Sequence, residues 1–240
     1  NGTIEFARDY RSVTSMDRDA RIKITREEGR RDWRLYIRRD GQGIEYDYRR
    51  NGDRVPFASA RDEIGDLLLS VVREGGIDAK RRVGILLADG GPERVLAEVR
   101  LIERSSGSAR YLTQLVEQAD LNRNELLEVA KLSVEEVASS GDRSRLLMAS
   151  APAFEGNADT EAAWLKAAAS VPSSGDRSRV LMRGMDEGIA MEGIAGIVAS
   201  IPSSGDKARM LLRALETNPS DEDLVSLLGA AGSISSSGDR

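Results

Sequence analysis

The chain has 240 residues, 40% hydrophobic and 31% charged, with a net charge of −5 and neither cysteine nor histidine. Those two absences exclude thiol nucleophiles, disulfides, imidazole bases, Ser-His-Asp triads and zinc sites built on Cys or His. Carboxylate pairs, a lysine or an oxygen-ligand metal site are the chemistry left. No apolar run approaches the roughly 20 residues of a membrane helix, and the run at 67–72 is bracketed by Asp66 and Arg73.

Charge and aromatic content divide the chain. Residues 1–60 hold 14 Lys/Arg against 11 Asp/Glu, and the remainder holds 21 against 29, a net of −8. Seven of the ten aromatics also fall in the first 60 residues. Two compositions point to two architectures.

The first architecture is a small antiparallel β-meander, residues 1–58. Residues 3–6 and a segment near Val13 add one or two strands. Alternation of period two places Ile22 and Ile24, then Trp33, Leu35 and Ile37, then Ile44, Tyr46 and Tyr48 on one apolar face. Asn51-Gly52 is the strongest hairpin signal, because its turn needs positive φ at both central residues. That turn pairs Tyr48 with Val55 and Tyr46 with Phe57. Residues 40–43 form the preceding turn. On the polar face Arg34 and Arg38 are expected opposite Glu45 and Asp47, as cross-strand charge pairs rather than a ligand site. The cluster of Arg34, Arg38, Arg49, Arg50 and Arg54 near Tyr36 also raises nucleic-acid binding. Interleaved acidic residues argue against it.

A bridging helix follows at 59–75, with Ile64, Leu67, Leu68, Val71 and Val72 on one side and Gly75-Gly76 as its stop. From 76 to 240 the expectation is an α-solenoid of stacked helical hairpins. The fold class is therefore α+β, mostly α. Ser139-Ser-Gly-Asp-Arg-Ser-Arg-Leu-Leu147 recurs from Ser173 to Leu181 and from Ser203 to Leu211. A shortened copy begins at Ser105, and a cut-off copy spans Ser236 to Arg240. Repeats thus start near 76, 105, 139, 173, 203 and 236, with glycines at 107, 141, 175, 205 and 238 marking the period. At Ser139/Asp142, Ser173/Asp176 and Ser203/Asp206 the serine caps a helix, and the aspartate three residues on closes the box. Asn122 with Glu125, and Ser220 with Asp223, repeat that logic for second helices. Gly90-Gly91-Pro92 splits a degenerate first hairpin. Leu146/Leu147, Val180/Leu181 and Met210/Leu211 form the shared seam, with Phe154 and Trp164 thickening one layer.

Two rows of cations repeat with the hairpins: Arg110, Arg145, Arg179 and Arg209 in one, Arg143, Arg177 and Lys207 in the other. Stacking lines them into stripes that either pair with nearby aspartates, as Asp142 with Arg145, or grip an acidic partner. A region of net −8 is a poor tracker of phosphate backbones. The Asp221–Asp223 cluster lacks the glycine and distal glutamate of a calcium loop. No residue is assigned as catalytic, metal-binding or cofactor-binding, and the chain is read as non-enzymatic.

The order Gly2-Thr-Ile-Glu-Phe6, Asn51-Gly52…Val55-Pro-Phe57, Gly75-Gly-Ile-Asp78, Gly90-Gly-Pro92 and serine-led units resembles one known arrangement. It is similar to the C-terminal extracytoplasmic segment of bacterial membrane proteins related to antirepressor-type, β-lactam-sensor zinc metallopeptidases, with HEAT/TPR-like helical repeats. Relatives often carry an acidic-aromatic pair where this chain has Gly-Asp. The peptidase motif of that family needs two His flanking a Glu; lacking His, this chain inherits no catalytic or zinc role. The resemblance implies an exterior, membrane-tethered sensor or protein-interaction segment. Beginning at Asn1 and closing on a repeat's first residues, the sequence reads as a piece of a longer protein.

The leading functional expectation is a non-catalytic interaction module for a protein or peptide. The alternatives are a small-molecule or glycan sensor and a nucleic-acid-binding repeat protein.

Overall fold

A computed structural model of the chain describes residues 2–41 and 43–234. The chain divides into two compact units, Asn1–Ile77 and Asp78–Arg240. The repeat copy expected from Ser236 to Arg240 lies outside the described residues.

The first unit carries six strands: β1 (Ile4–Phe6), β2 (Val13–Met16), β3 (Arg21–Glu28), β4 (Arg31–Asp40), β5 (Gly43–Arg50) and β6 (Asp53–Val55). β3 to β6 form an antiparallel meander in sequence order. β1 and β2 do not join it; they form a separate two-stranded ribbon. Side chains tie the ribbon to the sheet. The Val13 N–H donates to Tyr46 Oη at 3.0 Å, and Arg39 donates to the Met16 carbonyl at 3.1 Å.

The hairpin at Asn51-Gly52 has positive φ at both residues and sets Tyr48 opposite Val55. Tyr46 and Phe57 meet with ring centroids 4.5 Å apart. The apolar alternation therefore becomes the buried face, where Leu35, Ile37 and Tyr48 are fully buried. The polar face needs one correction. Arg38 does lie opposite Glu45, but Arg34 lies opposite Arg49, and Tyr36 opposite Asp47. Arg34 is neutralised by Asp32 along its own strand at 2.9 Å, and Arg54 reaches both Glu45 and Asp47.

Helix α1 (Phe57–Gly75) ends where Gly76 takes the left-handed conformation, its N–H donating to the Arg73 carbonyl. The helix belongs to this first unit and packs on β5, burying Ile64, Leu67, Leu68 and Val72. Three polar ties hold it there. Tyr48 Oη donates to Glu63 at 2.8 Å, Arg50 pairs with Glu63 at 2.5 Å, and Arg11 pairs with Asp66 at 2.6 Å.

The second unit is a stack of helical hairpins. Helix α2 (Ala79–Val99) is broken at Gly90-Gly91, where Gly91 has φ 66° and ψ −166°, ahead of Pro92. The break turns α2 into the degenerate first hairpin. Its two arms are pinned by a buried ion pair between Arg82 and Glu98. The second arm stops at Val99, four residues short of Glu103, where the residue pattern places the end of a helix over 93–103.

Then follow α3 (Ser105–Gln118), α4 (Arg123–Glu135), α5 (Ser140–Phe154), α6 (Ala158–Ala169), α7 (Ser174–Asp186), α8 (Met191–Ser200), α9 (Ser204–Glu216) and α10 (Asp221–Ala231). First helices pack on one another in the order α3, α5, α7, α9, and second helices in the order α4, α6, α8, α10. Two layers result, sharing one continuous apolar interior. Its largest side chains, Trp164, Tyr111 and Phe154, are fully buried. The Trp164 indole donates to the Leu147 carbonyl at 3.1 Å. Its ring lies so close to Gly184 that a Cβ there would stand 2.7 Å from it.

The structure also shifts the register of the first motif. Val137, Val171 and Ile201 are buried two residues before the caps Ser139, Ser173 and Ser203. Buried Ile102 precedes the cap Arg104 in the same way. The first unit thus aligns on Arg104, not Ser105, and Gly107 falls one place after the position of Gly141. In this register Arg110 corresponds to Arg145, and Tyr111-Leu112 to Leu146-Leu147.

Candidate interaction face

The serine-led motif positions the residues of interest, and it works differently from a capping box. Ser139, Ser173 and Ser203 do accept from the backbone N–H of Asp142, Asp176 and Asp206. No reciprocal box forms at these three caps. Two of the aspartates turn to a neighbouring repeat, with Ser140 Oγ donating to Asp176 at 2.7 Å and Ser174 Oγ donating to Asp206 at 3.1 Å, whereas Asp142 pairs with Arg145 of its own helix. The cap N–H groups are satisfied from the preceding repeat as well. The Ser173 N–H donates to Ser140 Oγ at 3.2 Å, and the Ser139 N–H donates to Ser105 Oγ at 3.1 Å. The second serine of the motif is therefore a hydrogen-bond relay between repeats. The Ser140 hydroxyl first, and Arg179 after it, hold the Asp176 carboxyl below the usual carboxylate range. Among the described residues full reciprocal boxes form at second helices, on Asn122/Glu125 and Ser220/Asp223.

The two cation rows have different fates. Arg143, Arg177 and Lys207 turn inward. Arg143 donates to the carbonyls of Val134, Val137 and Ser170, between 2.8 and 3.0 Å. Arg177 donates to the Val171 carbonyl, and Lys207 to the carbonyl and hydroxyl of Ser233. These acceptors lie at the C-terminal ends of second helices, where orphan carbonyls and the helix dipole favour a cation. Burial lowers the pKa of Arg143 from its ordinary value. This row is internal cement and is removed from any partner stripe.

The other row stays outside. The side chains of Arg145, Arg179 and Arg209 are 71%, 64% and 66% exposed, each paired with the aspartate three residues before it. Arg110 is exposed at the matching place on α3. Because first helices pack side by side, these four arginines run across one layer of the stack. At its N-terminal end the row borders a groove of about 560 Å³. Ala79, Ala109, Leu146 and Ala149 provide an apolar floor, and Lys80, Ser106, Arg110, Arg145, Asp142, Thr113 and Gln114 complete the lining. The lining holds three cations and one anion, so the groove is locally cationic within a unit of negative charge. Sequence reasoning missed Lys80, Thr113 and Gln114. Lys80 sits in the degenerate first hairpin, where no repeat alignment points to it.

Two smaller depressions lie in the first unit. One, of about 230 Å³, is edged by Arg26, Trp33, Tyr48, Glu63 and Leu67 between sheet and helix. The other lies on the sheet around Lys23, Arg34, Tyr36 and Asp47. Their charged residues are largely consumed in the ion pairs already described. Burial raises the pKa of Tyr48, and its hydrogen bond to Glu63 adds to that. Arg50 and Tyr48 hold Glu63 below its ordinary value.

Among the described residues no group of three or more Asp/Glu side chains is placed to hold a metal ion, and no helix is long and apolar enough to cross a membrane. Comparison with protein families, with curated proteins and with solved structures finds no match to this chain.

Proposed function

We propose that the protein is a non-catalytic interaction scaffold whose helical stack receives an acidic, extended segment of a partner protein along the outer arginine row. The observation that carries this reading is the division of labour between the two cation rows. One row is buried on helix carbonyls, whereas the other repeats at the surface from Arg110 to Arg209 beside a groove with an apolar floor. Arg145, Arg179 and Arg209 are each held by an aspartate at i−3, which fixes the guanidinium but leaves most of it in solvent. A carboxylate arriving from a partner meets donors already positioned at repeat spacing, so less side-chain entropy is lost on binding. Repetition also favours an extended ligand over a compact one, because successive repeats present the same group in register. An exterior, sensor-type setting with HEAT/TPR-like repeats, suggested by the sequence resemblance, is compatible with this reading and is part of the proposal.

The test is fluorescence anisotropy with labelled Asp/Glu-rich peptides, alongside scrambled neutral and Lys-rich controls. Binding of the acidic peptides should weaken with added salt. It should disappear in the quadruple variant R110E/R145E/R179E/R209E, whose circular dichroism stays that of the parent. Equal binding of neutral peptides, or acidic-peptide binding untouched by the quadruple variant, refutes the assignment.

A further inference from the structure

We infer that the outer face of the α9–α10 hairpin is an open repeat seam, built to receive one more helical hairpin opening at the Ser236-led cap. The argument is a comparison of equivalent positions. Twelve residues after each cap stand Ala151, Met185 and Leu215. The first two are 0% and 6% exposed, whereas Leu215 is 52% exposed. Nine residues after the cap, Met148 and Met182 are half-buried, whereas Leu212 is 65% exposed. On the second helices, the residue six before the junction is Lys131, which is exposed, then Leu165, Ala195 and Leu228. Leu165 is half-buried and packs closely over Gly193 of α8; Ala195 is buried; Leu228 is 72% exposed. In the interior of the stack the apolar residues at these positions have a following hairpin against them. In the last hairpin, large leucines occupy the same places.

A terminal repeat that ends an array presents a polar outer face, because an uncovered apolar seam costs solubility. The α9–α10 face has the opposite character. Its junction is also prepared as the internal ones are. Ile234 is buried, like Val137, Val171 and Ile201 before their caps, and Lys207 grips Ser233 much as Arg143 grips Ser170. Two residues beyond Ile234 the sequence spells Ser236-Ser-Gly-Asp-Arg240, in the register of the internal caps. The occupant is therefore an amphipathic helical hairpin of the same repeat, in register with the seam it covers.

The experiment compares the 240-residue chain with an extended chain in which residues 208–234 are repeated directly after Arg240. Arg240 stands at the place of Lys207, so register is kept. Hydrogen exchange should slow throughout α9 and α10, and the melting temperature should rise by several degrees. The double substitution L215E/L228E should abolish both gains in the extended chain. It should leave the 240-residue chain folded, since both side chains are exposed there. Unchanged exchange in α9 and α10 on extension overturns the inference. So does a 240-residue chain that sediments as a stable dimer which L215E/L228E converts to monomer, because a second copy would then be the occupant.

Discussion

The two units of this protein use arginine in opposite ways. In the β unit, arginines sit on the solvent face and exchange ion pairs across strands or along one strand, as Arg38 with Glu45 and Arg34 with Asp32. Such exposed pairs contribute little, about 0–1 kcal/mol each, and the unit relies on apolar registry and on the packing of α1. In the helical unit, one row of cations is drawn inside and set on the carbonyl ends of helices. There each donor replaces water at a group that must be satisfied. The difference teaches that a repeated arginine is not by itself a surface feature. Its position relative to a helix end decides whether it is scaffold or available surface.

Substitutions can break or sharpen this contrast, and hydrogen exchange read by mass spectrometry assigns each effect to its unit. The largest effect is expected from Trp164→Ala, which empties a fully buried site: about 3–5 kcal/mol, with exchange accelerated in α5 to α8 and unchanged in β3 to β6. Glu98→Ala removes the carboxylate paired with the buried Arg82 and should cost a comparable amount, about 3–5 kcal/mol. The paired change R82M/E98L should recover most of it. A double variant as unstable as E98A would show that the ion pair matters for more than charge balance.

Ser140→Ala should cost about 1–2 kcal/mol, because it removes the acceptor of the Ser173 N–H and the donor to Asp176 together. Ser139→Ala, which loses one cap bond, should cost about 1 kcal/mol. An S140A penalty no larger than that of S139A would argue against the relay.

The smallest effect is in pH dependence. Glu63 and Asp176 both have folded pKa values below their ordinary ones. Their contribution is present above the unfolded carboxylate range, near about 4, and is lost as pH falls through the depressed folded values. Acid titration should therefore weaken both units. Glu63→Gln should flatten the acid slope of the β unit alone, and Asp176→Asn that of the helical unit alone. Identical slopes in parent and variants would remove these groups as causes.

Much of this was legible in residue order. The period-two alternation around Trp33, Leu35 and Ile37 gave the sheet face, and Asn51-Gly52 gave its register, because both signals are local. The second-helix capping boxes at Asn122 and Ser220 were legible for the same reason. Other features were hidden. The separation of β1 and β2 from the meander depends on side chains such as Tyr46 reaching across. Asp142, Asp176 and Asp206 looked like box-closing residues, yet their partners lie a repeat away or one turn along the helix. The register of the first unit was misplaced by one because Ser105-Ser-Gly mimics the cap, whereas burial of Ile102 fixes the true start at Arg104.

The sequence by itself determined the division into two units, the strand alternation, and the places where helices begin. Each of these is written in side-chain periodicity and in hydrogen bonds spanning one turn. Only the tertiary structure decided which cations are buried, where the serine hydroxyls point, and which leucines of the last hairpin face solvent. Those outcomes depend on groups some 30 residues apart meeting across helices, and no local rule fixes which of two chemically identical arginines finds a carbonyl first.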